Sequence, residues 1–119
     1  MATITSTQEL PIQGDNSFLK IVWPNLFLTD VGDPFTLAQY ADRSVQISGT
    51  FGVGGTLIFE GSINGATYDI LTDPQGNNLS FTSGKIEAIS ELVLLIRPRV
   101  SAGDGTTNLT VSMVVRKSK

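Results

Sequence analysis

The side chains of this chain that could do chemistry are mainly carboxylates, and two of them are brought together by local sequence. Glu60 and Asp69 flank Asn64-Gly65, a dipeptide that tolerates the positive φ angles of a tight hairpin turn. Pairing residues 56–62 with 66–72 across that turn sets the two carboxylates near one another, on the face opposite Phe59 and Tyr68. A pair of this kind can act as acid and base or nucleophile in glycoside hydrolysis. Charged groups are mostly exposed, however, and two solvated carboxylates on an open strand face explain the pattern better. Asp73 with Asn77 and Asn78, and Asp30 with Asp33, offer oxygen ligands of the kind calcium takes. Neither loop has the EF-hand spacing, and turn chemistry, in which Asp and Asn bond their own backbone, accounts for both.

What is missing narrows the chemistry further. The chain has no histidine and no cysteine, so the commonest general base, the thiolate nucleophile and the commonest zinc ligands are absent. The expectation is a protein that is not an enzyme, with no catalytic residues, no cofactor and no metal. Gly52-Val53-Gly54-Gly55 lacks the Lys-Ser/Thr pair and helix start of a phosphate-binding loop and reads as a turn. Arg43, Arg97 and Arg99 could pair with carboxylates across subunits, since guanidinium groups suit bidentate pairing. Trp23, close to Phe27 and Phe35, is either a sugar-stacking plate or a core residue, and burial fits its large apolar area better.

The elements that must position these residues are strands. From Arg43 the apolar side chains alternate, with Val45, Ile47, Gly49 and Phe51 on one side, the period of a strand with one buried face. Leu57 and Phe59 continue the pattern, Tyr68 and Ile70 share a face of the returning strand, and Leu79 and Phe81 mark a short one. Thr107 to Arg116 alternates again, with Leu109, Val111, Met113 and Val115 inward. Leu92 to Ile96 is continuously apolar, as expected of a strand covered on both faces or packed against another subunit. Ser17 to Trp23 predicts a strand cut short by Pro24, Leu26 to Leu28 another, Asp30 to Pro34 a loop, and Ala38 to Ala41 a helical turn; Gly84 to Ser90 is ambiguous. Strands at this spacing predict an all-β antiparallel β-sandwich, jelly-roll-like or immunoglobulin-like. Its domain is residues 17–119, preceded by an extended N-terminal arm, residues 1–16.

Length and charge agree with one small binding domain. The 119 residues are 40% hydrophobic and 16% charged, with twelve glycines, enough for one core and many turns. A net charge of −3 with eight Lys and Arg is unsuited to tracking phosphates, so nucleic acid is not expected as a partner. There is no apolar run of membrane-spanning length and no signal-peptide pattern, which predicts a soluble protein made in the cytoplasm. The sequons at Asn78 and Asn108 mean nothing without secretion.

Several motifs together carry a resemblance. They are Ala41-Asp42-Arg43-Ser44-Val45-Gln46-Ile47-Ser48-Gly49-Thr50-Phe51, Gly61-Ser62-Ile63-Asn64-Gly65-Ala66-Thr67-Tyr68, Leu71-Thr72-Asp73-Pro74-Gln75-Gly76-Asn77, Ile96-Arg97-Pro98-Arg99-Val100 and Gly103-Asp104-Gly105-Thr106-Thr107. In this order, over about Ile21 to Arg116, they resemble a family of small virion structural proteins of tailed bacteriophages. The chain departs from it in lacking an aspartate before Gly65 and in having Tyr68 where tryptophan is common, which keeps the turn and the aromatic anchor. The resemblance implies a protein that decorates or cements the head or sits in the tail; the acidic composition, the run Leu92 to Ile96 and an arm long enough to reach neighbouring subunits favour a head decoration or cement protein that binds the major capsid protein or another virion protein. It would be located in the virion and act as a homo-oligomer, a trimer for example. A tail or baseplate component is the first alternative, and a receptor- or carbohydrate-binding module using Trp23, Tyr68 or the Asp73–Asn78 loop the second. Interface contacts are expected at Ile4, Leu10 and Ile12 of the arm and at Arg97 and Arg99.

Overall fold

Strand sequences that bury alternate side chains need a second layer to bury them against, and twelve short strands supply two. The computed structural model describes residues 2–10, 17–36 and 40–117. The strands are β1 (Thr3–Ile4), β2 (Thr7–Glu9), β3 (Phe18–Leu26), β4 (Val31–Gly32), β5 (Phe35–Thr36), β6 (Tyr40–Thr50), β7 (Thr56–Ser62), β8 (Asp69–Ile70), β9 (Ser80–Phe81), β10 (Ile86–Ala88), β11 (Leu95–Ala102) and β12 (Asn108–Lys117). One sheet has the order β1-β4-β11-β7-β8, with β5 also on β11 and β9 also on β7; the other has the order β10-β6-β12-β3-β2. Every pairing is antiparallel except β1 with β4.

The pairings nest. β3 pairs with β12, β4 and β5 with β11, β6 with β10, and β7 with β8 and β9, so the chain runs as one long hairpin rolled up until its two halves form two sheets. That is the jelly roll, and it decides between the two sandwich topologies that the strand pattern leaves open. Rolling places the turns 27–30, 51–55 and 103–107 at one end of the sandwich and the connections 63–68 and 89–94 at the other.

The core lies between the sheets. Val45 and Ile47 of β6, Leu57 and Phe59 of β7, Ile96 and Val100 of β11, and Leu109, Val111, Met113 and Val115 of β12 are buried, as the period of two requires. Trp23 is buried too, edge-on to Phe59 with ring centroids 6.2 Å apart. Its indole N–H donates to the Asp33 carbonyl and to Asp33 Oδ1, each at 2.9 Å, which meets the need of a buried tryptophan for an acceptor. Gly32 lies so close to it that a Cβ there would stand 2.5 Å from the indole.

Several segments differ from their sequence expectations. β3 does not stop at Pro24. Leu26 pairs with Leu109 and Trp23 with Val111, so Pro24 and Asn25 together oppose the single residue Thr110. This bulge carries Asn25 at φ 57° and frees the strand from needing the missing proline N–H. The loop expected from Asp30 to Pro34 contains β4, and Gly84 to Ser90 contains β10. The expected helical turn at Ala38 to Ala41 falls partly outside the described residues, and Tyr40 and Ala41 belong to β6. The run Leu92 to Ile96 becomes strand only from Leu95; Val93 and Ile96 enter the core while Leu92 and Leu94 point outward.

Residues 2–10 are extended, but they lie on their own sandwich. β1 pairs with β4, β2 pairs with β3, and the Asp30 and Asp33 carboxylates accept the Ala2 and Ser6 N–H groups at 3.1 and 3.0 Å. The described part of the segment expected to be a free arm is therefore a strap crossing from one sheet edge to the other. Most of its side chains are exposed and only Ile4 reaches the core, so the main-chain pairing leaves little mark in the hydrophobic pattern.

Candidate functional site

The outward side chains of the first sheet gather a cluster of unlike composition from the rest of the surface. On β7 the inward residues are Leu57, Phe59 and Gly61, which leaves Ile58, Glu60 and Ser62 outward; on β11 the outward residues are Leu95, Arg97 and Arg99. Register sets Arg97 directly opposite Glu60 and Arg99 opposite Ile58. Glu60 is the centre. Its Oε2 accepts the Arg97 Nε–H at 2.7 Å and its Oε1 the Arg99 Nε–H at 3.3 Å, and only 6% of its side chain reaches solvent. The Arg97 guanidinium carbon also lies 3.8 Å from the centroid of the Tyr68 ring, a cation-π contact.

This corrects the reading of Glu60 and Asp69 as a pair of solvated carboxylates. Glu60 faces Ile70, and Asp69 faces Gly61, one step along, so Asp69 does not join Glu60. Glu60 is instead covered by two cations from the neighbouring strand. Arg97 and Arg99 were both expected at an interface, but the sequence could not show that one buried carboxylate orients them. The alternation along β7 and the short Arg-Pro-Arg spacing were the available signals.

The other expected positions fall as follows. Ile4 is half-buried and packs against the core, whereas Leu10 is exposed; Ile12 lies outside the described residues. Arg43 faces inward and is buried, its guanidinium donating to the Glu91 carbonyl, so it ties β6 to the 89–94 connection inside one chain and is not available to a neighbour. Burial lowers its pKa, while Asp42 and Glu91 oppose that shift. Glu91 accepts the Thr72 N–H at 2.7 Å and the Thr72 hydroxyl. Burial pushes its carboxyl up, but these bonds and the charge of Arg43 outweigh it and hold Glu91 below its ordinary range.

The two loops considered for calcium are stapled by their own backbone. Asp73 Oδ1 accepts from Gln75 N at 3.0 Å and Asn77 N at 2.9 Å, and Asp30 is occupied by Ala2 and Phe27. Among the described residues, no group of three or more His, Cys, Asp or Glu is placed to hold a metal ion. Trp23 is sealed in the core, which removes it as a sugar-stacking plate. Asp104 performs the same turn service at the far end, accepting from Thr106 and from Val53 N. The Thr106 hydroxyl, the Val53 N–H and the Thr106 N–H hold its carboxyl below the ordinary range.

Part of the run Leu92 to Ile96 stays uncovered, and Ile63, which the sequence did not single out, joins it. At the end formed by the 63–68 and 89–94 connections, Leu92, Ile63 and Leu94 are 82%, 68% and 53% exposed. The Leu94 N–H donates to the Ser62 carbonyl at 3.1 Å, so the two connections lie side by side. A shallow groove of about 560 Å³ runs beside them, lined by Ile63, Thr67, Asp69, Ile70, Leu71 and Val93 among others. Large apolar side chains grouped this way on a surface mark sites of protein contact.

No protein-family model matches the chain and no curated protein sequence matches it. Among solved structures, the chain is similar to the SPBc2 prophage-derived protein YomS, with a TM-score of 0.64 at 15% identity, over 82% of this chain and 93% of that one. A cysteine peptidase from Thevetia peruviana latex, Peruvianin-I, aligns with a TM-score of 0.40 at 17% identity, over 86% of this chain and 50% of that one, below the level of a shared fold. The chain is thus an all-β sandwich that shares its fold with a prophage-derived protein.

Proposed function

We propose that this chain is a non-enzymatic structural protein of a tailed-phage virion, and within it a decoration or cement protein that binds the major capsid protein and stabilises the head lattice. The observation that carries this reading is the apolar end formed by Ile63, Leu92 and Leu94. Three large aliphatic side chains exposed at one end of a sandwich gain from being covered, by up to roughly 1.5–3 kcal/mol for a side chain that starts fully exposed. The fold shared with a prophage-derived protein and the motif series of tailed-phage virion proteins support the same reading. So does a chain without histidine or cysteine, which has little with which to catalyse.

In this proposal the protein acts as a homo-oligomer, a trimer being the working form, with the apolar end buried against a neighbouring protein in the particle. It needs no cofactor, nucleic acid or membrane. The test is to mix purified protein with undecorated capsids, separate bound from free by sedimentation, and heat the product. Co-sedimentation at a fixed ratio and a raised capsid melting temperature are expected, both lost in Leu92→Asp/Leu94→Asp. Absence of binding to the head lattice overturns the cement assignment, and immunogold labelling of tails would move the protein there.

A further inference from the structure

Arg97 and Arg99 are held by Glu60 in a way that leaves their working ends unused. Each donates its Nε–H to that one carboxylate, and neither terminal Nη group makes a hydrogen bond to any described residue. The Arg97 and Arg99 side chains are 26% and 39% exposed. The buried carboxylate does for the guanidinium forks what pre-organisation does generally. It fixes their position before binding, so less side-chain freedom is lost on contact.

The charge at the cluster is two positive groups against one negative, a net of one positive. Around it stand Ile58, Ile70 and Leu95, with the Tyr68 ring against Arg97. Arg and Tyr anchors in an apolar surround are the composition of a protein-binding hot spot. A single surplus charge complements one carboxylate. It does not suit a polyanion, which needs an extended basic track, and the chain as a whole is acidic.

We propose that the outer face of the first sheet is a recognition surface on which the Nη groups of Arg97 and Arg99 grip an acidic side chain of a partner protein, with Glu60 positioning both. This stands apart from the apolar end that carries the capsid reading and does not require it. Binding a carboxylate would make a fork of charge-assisted hydrogen bonds, the stronger kind.

The experiment uses the full chain alone. The arginine side-chain N–H resonances are followed by NMR while an end-capped Gly-Glu-Gly peptide, which carries one carboxylate, is added, with sodium chloride of matched ionic strength and inorganic phosphate as parallel arms. Saturable shifts of Arg97 and Arg99 with the peptide are expected. Affinity should fall about tenfold in Arg99→Ala, the loss of roughly one charged hydrogen-bonding fork, and partly in Arg99→Lys, which keeps the charge and the backbone spectrum. Responses no larger than those to chloride, tighter binding of phosphate than of peptide, or an unchanged affinity in both variants would each overturn the proposal. So would shifts that grow with protein concentration without peptide, which would assign the face to a second copy of the chain.

Discussion

The two outer faces of the sandwich are built on the same strand period and turn out differently. On the first sheet the outward positions converge on Glu60, a buried carboxylate under two guanidiniums and beside Tyr68. On the second, β6 and β12 present Ser44, Gln46, Ser48, Thr110, Ser112 and Val114, and the ion pairs Lys20–Glu9 and Arg116–Asp42 lie toward its margins. Burial decides what these charges are worth. An exposed pair contributes about 0–1 kcal/mol, whereas a carboxylate shut off from water must keep its partners or lose its place.

The largest effect is expected from Glu60→Ala. Removing the acceptor strands two partly buried guanidiniums, and a loss of about 2–3 kcal/mol is expected from urea unfolding. Breaking the Arg116–Asp42 pair on the other sheet with Asp42→Ala should cost less than about 1 kcal/mol, and an equal cost at the two sites would dissolve the distinction.

Acidification should lower stability by a smaller amount. Glu91 and Asp104 both have carboxyls held below their unfolded values. Each therefore contributes stability that is present above the unfolded pKa, about 4, and that is lost as pH falls through the folded value. Stability measured between pH 6 and pH 3 should decline along this limb, and Glu91→Gln with Asp104→Asn should flatten it. The smallest effect is expected at Ser112→Lys, on the open face of the second sheet, where a surface change should stay within about 0.5 kcal/mol.

How much of this was legible in the sequence depends on whether the deciding contact is local. The buried series Val45–Ile47 and Leu109–Val115 announces itself, because alternation is a property of one strand. The turn at Asn64-Gly65 is also local: Gly65 sits at φ 80° and Asn64 Oδ1 accepts from Ala66 N and Thr67 N. Pro24 misled because the bulge that accommodates it needs the partner strand β12. Glu60 misled for the same reason, since its burial is set by Arg97 and Arg99, 37 and 39 residues away. The strap could not be read as part of the sandwich, because its receptors, Asp30 and Asp33, are themselves disguised as loop residues. Leu92 to Ile96 was legible as a run with two apolar faces; which of the two would remain uncovered in the single chain was not.

In the proposed virion role, the end carrying Ile63, Leu92 and Leu94 is where this protein meets another in the assembled particle. A cryo-EM map of phage particles made with the protein present tests it most directly. Density of this jelly roll is expected on the head, with those three side chains buried at a protein contact. A particle that lacks the protein, or holds it with that end facing solvent, would contradict it.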